Sequence, residues 1–285
     1  MTSLVRKPAD FRHACNVARA ASRHVGLVPT MGALHEGHLS LIDEAKKRAD
    51  FVAVTIFVNP MQFAPGEDLS RYPRTMEIDL GHCRERHVDL VFAPEPDAMY
   101  SDRFQTQVSV EALSKPLEGE FRPAHFTGVT TVVTKLFNLA GPCTAVFGRK
   151  DFQQWKILAR MADDLDMEIE VVACPIVREP DGLALASRNR FLSSSERKRA
   201  RGIVDGLRRA HDLWGGGERR PDVLRSAAME PVRAAFDRVD YVAVVDPETL
   251  RAPTTSPARL LVAVAAHLGA TRLIDNVVLG DDPRP

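Results

Sequence analysis

Val25-Gly26-Leu27-Val28-Pro29-Thr30-Met31-Gly32-Ala33-Leu34-His35-Glu36-Gly37-His38 is the stretch on which the fold turns. Residues 25–29 read as a short buried strand. Residues 37–49 carry a helical pattern that ends in Lys46, Lys47 and Arg48, where cations suit the helix dipole. The same alternation runs outward from there. Residues 51–58, 88–93, 145–147 and 168–177 are apolar, β-branched runs, while 74–86, 126–139 and 151–165 are helical in spacing. Strands that are apolar throughout and separated by helices predict a parallel sheet covered on both faces, a doubly wound α/β domain. Its ligand site is expected beyond the carboxyl ends of the strands.

After about residue 178 the pattern changes. A long charged helix is expected over 193–214, with Ser193 or Ser194 as its cap, then a glycine break at 215–217 and a second helix over 221–236. Three strands follow closely, at 239–245, 260–266 and 272–279. Residues 1–178 are therefore expected to form one domain. Residues 179–285 are expected to form a smaller α+β domain with an antiparallel sheet. The Asp281-Asp282-Pro283-Arg284-Pro285 tail is expected to fray.

Composition excludes several function classes. The 285 residues hold 38 Lys+Arg and 38 Asp+Glu, a formal net charge of zero, so no cationic excess is available to neutralise a nucleic-acid backbone. No apolar run approaches the length needed to span a bilayer, and residues 1–20 mix charges of both signs rather than forming a leader. No nucleic-acid or membrane partner is expected, and the cytoplasm is the expected compartment. Cys15, Cys83, Cys143 and Cys174 are widely spaced with no Cys-x-x-Cys pair, which argues for small buried hydrophobes rather than a zinc ribbon or disulfide scaffold.

The turn after the first strand carries the chemistry. His35 and His38 are three apart, so on one helical turn they share a face, and Gly37 between them permits close approach of a ligand. Two imidazoles at a helix start can donate hydrogen bonds to a triphosphate and stabilise a departing pyrophosphate. Zinc would need His-Glu-x-x-His spacing and a third ligand, so no metal site is expected here. The alternative of two solvated histidines remains on the residues alone. Neither a Walker A loop nor G-x-G-x-x-G occurs in the chain.

Further words extend this reading. They are Phe57-Val58-Asn59-Pro60-Met61-Gln62-Phe63, Tyr72-Pro73-Arg74-Thr75, His125-Phe126-x-Gly128-Val129, Phe147-Gly148-x-Lys150-Asp151-Phe152-Gln153-Gln154, and Arg178-Glu179-x-Asp181-Gly182-Leu183-Ala184-x-x-Ser187-Arg188-Asn189. His-x-Gly-His after a first strand resembles the nucleotidyltransferase superfamily. Together with these words, in this order from about residue 25 to 192, the chain resembles the pantoate–β-alanine ligase family. The resemblance implies a Rossmann-like first domain, a C-terminal lid domain at 179–285, a homodimer, and ATP-driven condensation of (R)-pantoate with β-alanine through a pantoyl adenylate. MgATP is the implied form of the nucleotide.

The resemblance also implies roles. Pro29, Thr30, Met31, Gly32, Ala33, Leu34, His35, Glu36, Gly37 and His38 line ATP. So do Gly148, Arg149, Lys150, Asp151, Val177, Leu185, Ala186, Ser187 and Arg188. His38, His35 and Lys150 are the catalytic positions, with His38 the proton donor. Gln62 and Gln154 hold pantoate through neutral amides, and Gln62 also borders β-alanine. Asn59-Pro60 ends its strand and aims Gln62. Residues 64–72 form a polar loop that reads as a lid over the nucleotide.

Two positions depart from the family pattern. Ala186 stands where a serine is usual, and Arg149 where an acidic residue is more common. One phosphate hydroxyl is thereby lost, worth about 1.5–3 kcal/mol if nothing replaces it. The competing readings are another nucleotidyltransferase acting on a phosphorylated substrate, which would need basic side chains in place of the glutamines, and a non-catalytic nucleotide-binding relative.

Overall fold

The computed structural model describes residues 1–254 and 258–285. They divide into two compact units. The first comprises Met1–Ser114, Arg122–Arg149 and Gln154–Pro175, the second Lys115–Phe121, Lys150–Gln153 and Ile176–Pro285.

The first unit is built on a six-stranded parallel sheet: β1 (Ser3–Val5), β2 (Val25–Thr30), β3 (Phe51–Ile56), β4 (Leu90–Phe92), β5 (Cys143–Gly148) and β6 (Ile169–Cys174). The strand order is β1-β4-β3-β2-β5-β6. From β2 the chain builds outward through β3 and β4, then returns to β2's other side for β5 and β6. The order therefore reverses between β2 and β5, and a doubly wound sheet binds its ligand at such a reversal, beyond the carboxyl ends of the strands. β2 is paired with β3 from Val25↔Phe51 to Thr30↔Ile56 and with β5 at Gly26↔Thr144 and Leu27↔Ala145. The carboxyl ends of these three strands, and the segments that follow them, carry Met31 to His38, Gln62 and Gly148.

Two apolar layers cover the sheet. One contains Phe11, Leu27, Phe92, Val133, Phe137 and Leu158, the other Val28, Leu39, Ile42, Val54, Val91 and Cys174. Strand and helix types agree with the sequence reading within a few residues per end, and the parallel-plus-antiparallel architecture is as expected. Among the elements not expected are β1, the Pro8–Ala20 helix and the short helices Pro96–Met99 and Glu118–Phe121. All four cysteines are free and buried, and burial pushes their thiols up, Cys143 to about 12.

The second unit carries the antiparallel sheet β7 (Arg238–Val245), β8 (Leu260–Leu268) and β9 (Thr271–Leu279), in that order. The Arg201–Gly215 and Pro221–Ala235 helices share one core with it, through Ile203, Leu207, Leu224, Val232, Val262 and Val277. The long helix expected over 193–214 is in fact two, Ser194–Arg199 and Arg201–Gly215, meeting at Ala200. Of the two expected candidates, Ser193 caps the first, in a reciprocal box with Glu196. The tail, expected to be free, is bonded to the Arg201–Gly215 helix. Arg284 forks onto Asp212 at 2.6 and 2.8 Å, and Arg208 Nε donates to the Pro285 carbonyl at 2.6 Å. Hydrogen-bonding arginines thus replace the missing apolar anchor.

Candidate active site

The turn after β2 is held by side chains. Thr30 Oγ1 accepts from Gly32 N at 3.1 Å. Asp79, from the Met76–Glu85 helix, accepts from Ala33 N at 3.0 Å and Leu34 N at 2.8 Å, one on each carboxylate oxygen. Thr75 Oγ1 donates to the same carboxylate. Asp79 is 1% exposed, so these bonds are what make its burial affordable. The turn needs that support, because Gly32 and Ala33 both have positive φ, +79° and +52°. Only glycine takes such a φ without strain, so at Ala33 the surroundings must hold it. Asp79 carried no signal in the sequence, since an aspartate in a first helical turn ordinarily serves the dipole.

His35 and His38 meet, but not as two residues on one helical face. The helix is Glu36–Arg48 and His35 is its N-cap, in extended conformation. His35 Nδ1 accepts from Gly37 N at 3.2 Å, and His38 Nδ1 accepts from His35 N at a long 3.4 Å, a reciprocal capping box made of two imidazoles. Their ring centroids lie 4.1 Å apart. A neutral imidazole that accepts at Nδ1 carries its proton at Nε2, so each ring is set up as an Nε2–H donor. The backbone N–H groups of Gly32, Ala33, Leu34, His35 and Gly37 all have protein acceptors.

Gln62 sits beside this turn. Its Nε2 donates to Met31 Sδ at 3.2 Å, and its Oε1 accepts from Asn59 Nδ2 at 3.0 Å. Asn59 is buried and fully employed: its Nδ2 also reaches the Gly128 carbonyl at 3.1 Å, and its Oδ1 accepts from Tyr100 Oη at 2.7 Å. It caps the short Pro60–Gln62 turn, so Asn59-Pro60 both ends the strand and orients the glutamine. The Gln62 carbonyl accepts from Arg122 at 3.2 Å and lies 3.0 Å from His125 Nδ1. Arg122 also forks onto Glu67 at 2.6 Å to each oxygen, which ties the 64–72 loop to the same place. Burial works to raise Glu67's pKa, but the Arg122 bonds and charge outweigh it and hold the carboxyl below its usual value. Gly148 and Arg149, at the end of β5, and Gln154, in the first turn of the Phe152–Asp164 helix, complete the first unit's share.

The remaining candidates belong to the second unit. Lys150 and Asp151 lie in a short 3-10 turn, Arg149–Asp151, with Lys150 half-buried and Asp151 exposed. Val177 and Leu185 close a small hairpin: Leu185 N donates to Val177 O at 3.0 Å and Glu179 N to Leu183 O at 2.8 Å. Arg197 grips its turn through Glu179 at 2.6 Å and Asp181 at 2.7 Å. Arg178 pairs bidentately with Asp275, at 2.6 and 3.0 Å, and also reaches the Gly182 carbonyl at 3.0 Å. Burial raises Asp275's pKa, opposed by the Arg178 charge. The hairpin delivers Ala186 to the start of a 3-10 turn, Ser187–Phe191, so Ala186, Ser187 and Arg188 are consecutive at one loop.

A family model described as Pantoate-beta-alanine ligase matches residues 3–278. The chain belongs to the pantoate–β-alanine ligase family. The pantothenate synthetase of Geotalea uraniireducens is 49% identical over 266 residues, covering 93% of this chain and 94% of its own length. Among solved structures, pantothenate synthetase from Thermus thermophilus superposes with a TM-score of 0.91 at 44% identity, covering 96% of this chain and 98% of its own. The ligase from Francisella tularensis, solved with β,γ-ATP and β-alanine, superposes with a TM-score of 0.80 at 29% identity over the full length of both.

Within a ligase of this family the alanine at 186 has a local consequence. Ala186 is the N-cap of the Ser187–Phe191 turn, extended at φ −150°, and it makes no side-chain cap. A serine there would accept from the turn's own N–H groups. Ala186→Ser is therefore expected to stabilise the protein by about 0.5–1 kcal/mol, the worth of a cap at a short turn. Thermal melting of the pair checks this, and an unchanged or lower midpoint would show that the loop satisfies itself without the hydroxyl.

Proposed function

We propose the following division of labour for the family reaction, in which ATP drives the joining of (R)-pantoate and β-alanine. The amides of Gln62 and Gln154 bind pantoate, adding no charge beside a carboxylate that must act as nucleophile. One carboxylate oxygen attacks the α-phosphorus of ATP. A P–O bond forms, the bond to the bridging oxygen breaks, and its electron pair leaves with pyrophosphate. His35 and His38 hydrogen-bond the departing oxygens through Nε2–H, His38 serving as proton donor, and Lys150 adds a full positive charge. The β-alanine amine, bordered by Gln62, then attacks the acyl carbon of the pantoyl adenylate. A C–N bond forms, AMP leaves, and the amine gives up a proton.

One observation carries this reading. The two imidazoles each accept a backbone N–H at Nδ1, beside a glutamine whose amide is oriented by a buried asparagine. ATP lining by residues 29–38, by Gly148 to Asp151, by Val177 and by Leu185 to Arg188 follows the family and belongs to the same proposal. So do the lid roles of 179–285 and of the 64–72 loop. Magnesium fits as part of the substrate. Its ligands are assigned to the triphosphate oxygens and water, as suits a cation that keeps several waters. Among the described residues no helix is long and apolar enough to cross a membrane. A cytoplasmic homodimer completes the proposal, and sedimentation tests its stoichiometry.

AMP should form only when MgATP, pantoate and β-alanine are all present, and pantoate alone should support ATP–pyrophosphate exchange. His38→Ala should cost both reactions about a hundredfold or more, in the range found for removing general acids and leaving-group donors. Exchange at the wild-type rate in that variant would remove His38 from the chemistry. AMP release without an amine would point to a different acceptor.

A further inference from the structure

We propose that strand β9 is the template that positions Lys150, with Asn276 acting on it directly and Arg272 at one remove. The inference rests on Lys150 serving the phosphates, as read above. Side chains alternate along a strand, so Leu273, Asp275, Val277 and Leu279 share one face of β9 and Arg272, Ile274 and Asn276 the other. Leu273, Val277 and Leu279 enter the core with the helices. On the opposite face Asn276 is 4% exposed, and its Nδ2 donates to the backbone carbonyl of Lys150 at 2.9 Å.

The far end of the same short segment is tied to the same face of the same strand. Gln153, also buried, accepts from Glu118 N at 3.1 Å and donates to the Pro116 carbonyl at 2.7 Å. The Glu118 carboxylate is in turn forked by Arg272 at 2.6 and 2.8 Å and accepts from Tyr241 Oη at 2.7 Å. Arg272 Nε donates to Asp240 at 2.8 Å, which fixes the guanidinium plane. Residues 150–153 are thus moored at both ends to Arg272 and Asn276, four positions apart on a strand that is paired with β8 along its whole length.

This mooring has a mechanical purpose. Lysine is a compact charge on a flexible stem, so the reach of its ammonium is set by where its backbone starts. Neighbouring Arg149 and Asp151 offer no regular helix to fix that origin, because the α-helix begins only at Phe152. A displacement of about 1 Å at a reacting centre is enough to cost up to a hundredfold in rate. Asn276 and Arg272 are accordingly positioning residues, which act through Lys150 without touching substrate.

The decisive experiment is a double-mutant cycle read by pantoate-dependent ATP–pyrophosphate exchange. Asn276→Ala should lower kcat by about tenfold with the KM for pantoate unchanged, since Gln62 and Gln154 are not on this mooring. In a Lys150→Ala background the same substitution should have almost no further effect, because there is no longer an ammonium to misplace. Gln153→Leu, which releases the other mooring while keeping an apolar volume, should behave alike and serves if Asn276→Ala fails to fold. Independent, multiplicative losses in the double variants would overturn the inference, because a merely structural role adds in any background. So would wild-type kcat in both single variants. If Lys150→Ala itself left exchange intact, the phosphate role of Lys150 would fall and this inference with it, an outcome distinct from additivity.

Discussion

Gly128→Ala is expected to lower kcat/KM for pantoate by about two orders of magnitude and to destabilise the protein by about 1–3 kcal/mol, the usual cost of overpacking. Gly128 lies in the first turn of the His125–Ala140 helix. A Cβ placed there would collide with the Met61 carbonyl and stand 2.7 Å from Gln62 N. Those atoms are backbone, not the yielding end of a side chain, so the helix and the Pro60–Gln62 turn must part. Asn59 spans both, with one amide nitrogen bonded to the Gly128 carbonyl and to Gln62 Oε1. Any parting therefore breaks the bond that orients Gln62, and a shift of about 1 Å there falls on the amide proposed to bind pantoate. Gly81→Ala is the control. It is also helical, and nothing lies within 4 Å of the added carbon. It should leave activity intact and add a few tenths of a kcal/mol of stability, since alanine is the better helix former. A Gly128→Ala enzyme with a wild-type KM for pantoate and a normal melting temperature would show that the turn can yield.

Much of the architecture could be read from the chain because it is written in local terms. β3 and β5 are apolar on both faces, which is what a central parallel strand requires. The helix start was legible from its serines, Ser193 or Ser194, and the structure selects Ser193, whose box with Glu196 the serines alone did not show. The Pro8–Ala20 helix was missed even though Phe11, Cys15 and Ala18 are buried at helical spacing, because a mixed-charge N-terminus hides so narrow a stripe. β1 was missed for a different reason: it is three residues long and lies at the sheet's edge. What no local reading could supply is the membership of 115–121 in the second unit. That depends on Glu118 meeting Arg272, 154 residues away. The site divides along the same line. His35 and His38 were found by their spacing, yet they meet by capping one helix end rather than by lying on one helical face. Asn276 and Asp79 act on backbone atoms of distant segments, so they have no motif of their own.

Asp79→Ala is expected to be the most damaging substitution outside the residues that touch substrate, with kcat/KM for ATP falling by about a hundredfold or more. Removing the carboxylate leaves the buried N–H groups of Ala33 and Leu34 without acceptors, at about 1–3 kcal/mol each. It also releases the restraint on Ala33, whose left-handed backbone is disfavoured by about 1–2 kcal/mol against ordinary conformations. The turn then relaxes toward negative φ. It carries Met31, the partner of Gln62, at one end and leads into the His35 cap at the other, so relaxation disturbs the Gln62 amide and both imidazoles together. Asp79→Asn separates the two causes. It keeps the shape and one acceptor oxygen but turns an amide N–H toward a backbone N–H, so it should lose about tenfold and be the milder variant. The order Asp79→Ala below Asp79→Asn below wild type, in both ATP–pyrophosphate exchange and melting temperature, is the expected result. If Asp79→Ala melted lower yet exchanged at the wild-type rate, the strained turn would matter to folding alone, and the position of the imidazoles would have to be set by the helix cap without help from Asp79.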